Sequence, residues 1–126
     1  MPEGRIDFDK LHALGVPLAS IPAGEKVFLQ DEPGGTMYLV RSGLIDILMF
    51  GRVLETVGEF GIIGELSLID QAPRSAAALA ATNAEVAILD RTAFLRLIQA
   101  DPQFALYVLE VLSKRLRKLD ELLAQK

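Results

Sequence analysis

The stretch Gly64-Glu65-Leu66-Ser67-Leu68-Ile69-Asp70-Gln71-Ala72-Pro73-Arg74-Ser75-Ala76 brings a glycine, carboxylates, an arginine and hydroxyls close together in an otherwise apolar part of the chain. The guanidinium of Arg74 is a planar fork of donors that matches two phosphate oxygens. Ser75 adds a hydroxyl, and the successive amides of Ser75 and Ala76 around a small-residue turn have the makings of an anion-binding nest. Glu65, placed before Arg74, can accept hydrogen bonds from sugar hydroxyls. It can equally cap a short helix over 65–69, or pair with Arg74 in the empty protein. Gly64 has no Cβ and lets a ligand approach its backbone. Ile62, Ile63, Leu66 and Leu68 supply apolar walls of the kind that cover a base or a sugar face. The small run over 76–81 leaves room beside them, although tight packing alone explains it too. Taken singly, each residue has a plain structural explanation, and Arg74 alone reads as a solvated arginine. Taken together they form a clamp for a ligand that carries both a sugar and a phosphate.

The flanking sequence reads as short strands. Between 18 and 90, apolar runs alternate with turn residues. Strands are expected over 26–30, with Val27 and Leu29 on one face, and over 36–41, 44–50, 52–57, 77–81 and 84–89, the last with Val86 and Ile88 on one face. Asp31-Glu-Pro-Gly-Gly35, Ser42-Gly43 and Gly51 are the turns between them. Such a series predicts an antiparallel sandwich or barrel. Before it, Phe8, Leu11 and Leu14 recur at helical spacing and Gly15 stops the run, which predicts a short helix with a glycine cap. After it, Asp90 can cap a helix over 91–99. Asp101-Pro102 then opens a longer helix, with aspartate as N-cap and proline at the first helical position, running toward Gln125 over roughly 33 Å. The expectation is one domain over 1–126: a mostly β fold, its barrel at about 18–90, with a short N-terminal helix and a C-terminal helix pair at about 91–99 and 102–124.

The long helix carries two stripes. Leu109, Leu112, Leu116, Leu119 and Leu123 are spaced as an a/d heptad seam, with Lys114, Arg117, Lys118 and Glu121 around it. Phe104, Val108 and Val111 form a second stripe. One stripe can pack on the chain's own strands and the other on a partner, so the seam predicts a parallel homodimer. The competing explanation is that all these leucines cover one large core.

Composition narrows the function classes. The chain has 126 residues, no cysteine, one histidine (His12) and a formal net charge of −4. Disulfides and thiol catalysis are excluded, and a histidine-rich metal site is not expected. His12 reads as a surface or packing residue. Pro33-Gly-Gly35 lacks the lysine and spacing of a phosphate loop. No run approaches the length of a membrane span, and no signal peptide opens the chain, so a cytoplasmic location is expected. The acidic balance argues against direct nucleic-acid binding. With no catalytic constellation and no metal-ligand cluster, a non-enzymatic binding module is the expected class, with no resident cofactor.

The run over 64–76 resembles the phosphate-binding cassette of the cyclic nucleotide-binding domain family, which includes catabolite activator-type regulators, regulatory subunits of the cyclic-AMP kinase and cyclic nucleotide-gated channels. The likeness extends through Ile21-Pro-Ala-Gly-Glu25, Tyr38-Leu-Val-Arg-Ser-Gly43 and Val57-Gly58, over nearly the whole chain. The resemblance implies a jelly roll whose C-terminal helix closes over the base and relays the signal. It implies that Glu65 takes the ribose 2′-hydroxyl and that Arg74 neutralises the cyclic phosphate. Gly64, Leu66, Ser67, Ser75 and Ala76 then surround ribose and phosphate, with Ile62 and Ile63 as apolar wall. In bacterial members the same helix is the dimer seam. Glu59-Phe-Gly-Ile-Ile63 departs from the usual Pro-Gly-Asp turn, and Ile63 stands where an aromatic is common. Serine after the arginine tilts the ligand toward cyclic AMP, with cyclic GMP as the alternative, and Arg117, Lys118 and Asp120 are candidates for the base contact. A catabolite activator-type regulator would continue into a helix-turn-helix domain, which this sequence does not contain. The alternatives are therefore the sensor half of a regulator or channel, or a degenerate scaffold that binds nothing. A metal-dependent jelly-roll enzyme fails for want of histidines.

Overall fold

The computed structural model describes residues 6–124. A short helix α1 (Phe8–Ala13) precedes eight strands: β1 (Leu18–Ile21), β2 (Lys26–Phe28), β3 (Thr36–Ser42), β4 (Ile45–Met49), β5 (Arg52–Val57), β6 (Ile62–Ile63), β7 (Ala77–Ala80) and β8 (Ala84–Asp90). Helix α2 (Glu65–Asp70) lies between β6 and β7, and α3 (Arg91–Ala100) and α4 (Pro102–Ala124) close the chain. The strands form two four-stranded antiparallel sheets, ordered β1-β8-β3-β6 and β2-β7-β4-β5. Most successive strands cross from one sheet to the other, and β4–β5 is the one hairpin within a sheet. This is the jelly-roll order expected above.

The first sheet is covered on both faces, and its strands alternate accordingly. On β3, Met37 and Leu39 point to a core shared with α1, α2, α3 and α4, whereas Tyr38 and Val40 point to the core between the sheets. On β8, Ala87 and Leu89 take the helical side, and Ala84, Val86 and Ile88 take the sheet side. Two buried faces explain why the central runs over 37–40 and 86–89 are apolar at successive positions instead of alternating with polar residues. The second sheet buries only its inner face, with Phe28, Ile45, Val57 and Ala78 turned inward.

The helix ends follow local chemistry. Asp7 caps α1 by accepting from the amides of Asp9 and Lys10 (3.0 and 3.1 Å). Gly15, at φ +80°, donates to the His12 carbonyl (3.0 Å) just beyond that helix. The Asp90 carboxylate accepts from Ala93 N (2.8 Å), as expected. Asp101 joins α3 to α4 through its backbone: its amide donates to Leu97 O (2.8 Å) and its carbonyl accepts from Phe104 N (3.0 Å). Gln125, the expected last helical residue, lies outside the described residues.

Strands β1 and β6 are not among those expected from the sequence, and of the expected strands β2 is much shorter. β2 ends at Phe28, which is its buried residue, and Leu29 is exposed. The chain leaves the ladder there because the Glu32 carboxylate captures Leu29 N (2.8 Å) and folds the following turn back. Among the described residues no helix is long and apolar enough to cross a membrane, and no group of three or more potential metal ligands occurs.

Candidate functional site

Strand β6 delivers the chain to the site and sorts its own two residues. Ile62 turns toward the helical core and Ile63 toward the inter-sheet core. Only Ile63 of the pair lines the cavity that opens beyond it, and Ile62 takes part through its carbonyl alone. Gly64 follows at φ +77° as the first residue of the turn into α2. A Cβ there would lie 2.7 Å from Arg74 Nη1 and 3.1 Å from the Thr36 carbonyl. The space that glycine leaves is therefore filled by Arg74, where the sequence reading placed a ligand.

Arg74 is 4% exposed. Its backbone is fixed by the turn after β2, with Asp31 N donating to Arg74 O (2.8 Å) and Arg74 N donating to Glu32 O (2.9 Å). Its guanidinium donates through Nη1 to the carbonyls of Thr36 (2.8 Å) and Gly64 (3.2 Å), and through Nη2 to Thr36 Oγ1 (2.9 Å). It sits 4.2 Å from the ring centre of Phe28 and 5.7 Å from that of Tyr38. Stacking on aromatic faces partly replaces lost hydration. Among the described residues no carboxylate lies within ion-pair distance of it, and its buried Nε has no hydrogen-bond partner. Burial pushes its pKa down, opposed by Tyr38, Glu32 and Glu65, yet an arginine remains cationic. A buried cation without a counter-ion is costly, and an anionic ligand would supply what is missing.

Glu65 is equally buried, at 4% exposed, but it does not pair with Arg74. Its Oε1 accepts from Nη1 of Arg115 on α4. Arg115 also donates to Glu55 Oε1 on β5 (Nε, 3.0 Å), to Glu55 Oε2 (Nη2, 3.4 Å) and to the Ile62 carbonyl (Nη2, 2.8 Å). Burial opposes the charge on Arg115, but the carboxylates of Glu65 and Glu55 outweigh it and its pKa is raised. One side chain thus ties α4 to β5, β6 and α2. The sequence reading did not name Arg115. The signal for it lay in the second stripe of α4: Val108 and Val111 face the chain's own core, and Arg115 stands seven and four residues after them on that same face.

The remaining cassette residues take different places. Leu66 is half exposed and lines the cavity. The buried Ser67 donates its hydroxyl to the Ala72 carbonyl, so it closes the loop after α2. Ser75 and Ala76 both line the cavity beside Arg74. The cavity holds about 530 Å³, within the range of small-molecule sites. Phe28, Ile47, Met49 and Leu54 wall it on the strand side, and Arg115, Lys118, Leu119 and Leu122 of α4 form its roof. Of the three helix residues considered for a base contact, Lys118 reaches it, whereas Arg117 and Asp120 are not among its lining.

Comparison with known proteins points the same way. Residues 18–101 match the family model described as the cyclic nucleotide-binding domain. The chain is 34% identical over 108 residues to a CRP-like cAMP-activated global transcriptional regulator of Mycobacterium tuberculosis, covering 82% of this chain and 48% of that protein. It is 35% identical over 104 residues to the cyclic AMP receptor protein of Thermus thermophilus, covering 79% of this chain and 48% of that one. The chain thus spans about half the length of these curated relatives. The crystal structure of the Thermus thermophilus catabolite activator protein superposes with a TM-score of 0.81 at 32% identity, covering 93% of this chain and 57% of the other. A jelly roll of this strand order, its α2 cassette and a family match across most of its length together make the chain a member of the cyclic nucleotide-binding domain family.

Proposed function

We propose that this chain is a non-enzymatic receptor for a cyclic purine nucleotide, cyclic AMP first and cyclic GMP second, acting in the cytoplasm. The observation that carries the proposal is the pairing of charges in the cavity lining: a buried cation with no carboxylate in ion-pair distance among the described residues, and a buried carboxylate with one oxygen engaged. Arg74 would receive the cyclic phosphate, with the Ser75 hydroxyl and the neighbouring amides completing the anion site. Among its described bonds Glu65 uses only Oε1, so Oε2 is left to accept the ribose 2′-hydroxyl. The base then extends between the strand wall and the roof formed by α4.

The relay we infer runs through Arg115, because Glu65 is at once its partner and the group that would hold the ribose. A ligand that draws on Glu65 changes the strength of the tie between α4 and the sheets, and it shifts α4 only by as much as it prefers one arrangement of that tie. The output surface we propose is the seam of α4, where Leu109, Leu116 and Leu123 are exposed and would pair with a second copy. The named relatives are regulators, which supports a signalling role.

Calorimetric titration with cyclic AMP and cyclic GMP tests the receptor reading, repeated on Arg74→Ala. Hydrogen bonds to a charged group contribute roughly 1.5–3 kcal/mol, so the variant should bind roughly 10- to 150-fold more weakly. A folded wild type that takes up neither nucleotide would sink the reading and leave a scaffold without a ligand.

A further inference from the structure

The polar side chains lining the cavity are almost all engaged by the protein itself. Ser67 donates to Ala72 O, and Asp70 Oδ1 accepts from Ala72 N (2.9 Å), both at the loop after α2. Glu55 and Glu65 are held by Arg115. Arg74 and Ser75 mark the phosphate end. That leaves Lys118, one helical turn beyond Arg115 and exposed, whose Nζ makes one long contact to the Leu54 carbonyl (3.4 Å). Around it the walls are apolar: Met49, Leu54, Leu119 and Leu122. From Arg115 to Leu122 the roof runs about 10 Å along the helix axis, so Lys118 lies over the part of the cavity that a base reaches once phosphate and ribose are seated.

We propose that Lys118 reads the base, and that it favours a purine edge presenting two adjacent acceptors, the N7 and O6 of guanine. This rests on the receptor reading of the same cavity and goes beyond it to ligand choice. An ammonium has three donors and no acceptor, and one contact to Leu54 leaves donors to spare. Guanine presents acceptors at both N7 and O6, and lysine is among the side chains that bind that pair. Adenine offers N7 beside a donating N6 amino group, which an ammonium cannot match. Among the described lining residues there is no side-chain amide, and the carboxylates Glu55, Glu65 and Asp70 are already engaged by Arg115 or by Ala72 N. Lys118 therefore pulls the ligand choice toward cyclic GMP.

The test is calorimetric titration of wild type, Lys118→Met and Lys118→Arg with cyclic AMP, cyclic GMP and cyclic IMP. Cyclic IMP keeps N7 and O6 but lacks the 2-amino group of guanine. Lys118→Met preserves the apolar stem and should weaken cyclic GMP and cyclic IMP about tenfold, toward the low end for a base-edge contact because the ammonium is exposed. Cyclic AMP should change by less than about threefold, and Lys118→Arg should retain the wild-type ratio. Equal losses for all three nucleotides, no change in any, or a wild type that binds cyclic AMP but neither keto-purine nucleotide would overturn the assignment and leave the receptor reading standing. A wild type that binds none of the three overturns both.

Discussion

Arg115 carries one positive charge between two carboxylates from different elements, and the pair it makes with Glu65 is the more buried of the two. The Glu65 side chain is 5% exposed, against 27% for Arg115 and 40% for Glu55. Removing one partner of a fully buried pair costs about 3–5 kcal/mol because a charge is left stranded, and the partial exposure of Arg115 reduces that to about 1–3 kcal/mol for Arg115→Met. Urea unfolding should show this as a lower midpoint at unchanged slope. Adding Glu65→Gln should restore part of the loss, since the double variant no longer strands a carboxylate. A single variant within about 0.5 kcal/mol of wild type would mean that Glu65 is hydrated without its partner. At this scale the sequence was legible in part. Glu65 and Arg74 could be singled out because a carboxylate and a guanidinium in an apolar segment are chemically conspicuous. Their mutual pairing was one possibility left open, and it fails because Gly64 and Thr36 claim the Arg74 guanidinium while Arg115 reaches Glu65 from 50 positions further along the chain. A contact of that separation leaves no local spacing to read.

Among the elements, the turn between β2 and β3 does more than reverse the chain. Its Asp31 and Glu32 backbone groups bracket Arg74, and the Glu32 carboxylate holds the turn by accepting from Lys26 Nζ (2.7 Å) and Leu29 N (2.8 Å). The Lys26 bond first, then the Leu29 amide, lower the Glu32 pKa. A carboxyl whose folded pKa is depressed stabilises the fold above its unfolded value of about 4.3, and that stabilisation is lost as pH falls through the lower folded value. Wild type should therefore melt above Glu32→Gln at neutral pH, with the gap closing as pH falls below the ordinary carboxylate range. A gap that is the same at both ends would assign the difference to packing instead of charge. The turn itself was readable from Asp31-Glu-Pro-Gly-Gly35, as were most strands, because glycine and proline punctuate them. The facing of β2 was misread because Val27 and Leu29 look like an alternating pair. In fact Phe28 is the inward residue, drawn to the Arg74 guanidinium and to Tyr38, whose ring centre is 5.9 Å away. For β3 and β8 the alternation was muted because both faces of their sheet are covered, one by helices and the other by the second sheet.

For the whole molecule, the issue is how α4 divides its surface between its own sheets and a second chain. The two stripes read from the sequence separate as expected at the N-terminal end, where Phe104 and Val108 are buried and Val111 packs on the core. The heptad seam does not stay on one side. Leu112 leans on the chain's own core and Leu119 roofs the cavity, whereas Leu109, Leu116 and Leu123 are 61%, 61% and 59% exposed. The a positions are thus open to a partner, and the d positions are shared with the chain's own core at Leu112 and with the cavity at Leu119. A seam this short is marginal alone, and the strands offer more apolar surface: Val53 on edge strand β5 and Phe50 at the tip of the β4–β5 hairpin are both exposed. If two copies pair along α4, Leu119 places ligand cavity and interface in contact, so nucleotide and dimer affinity must be linked, each altering the other by the same factor. Leu116→Lys sets a charge at the centre of the seam without touching the cavity lining. It should convert a dimer to monomers in sedimentation velocity while leaving the circular dichroism spectrum unchanged. Its nucleotide affinity should shift by whatever factor nucleotide shifts the wild-type dimer constant. A wild type that sediments as a monomer at all concentrations, with or without nucleotide, would remove the partner helix from the mechanism and confine the signal to the tie between Arg115 and Glu65.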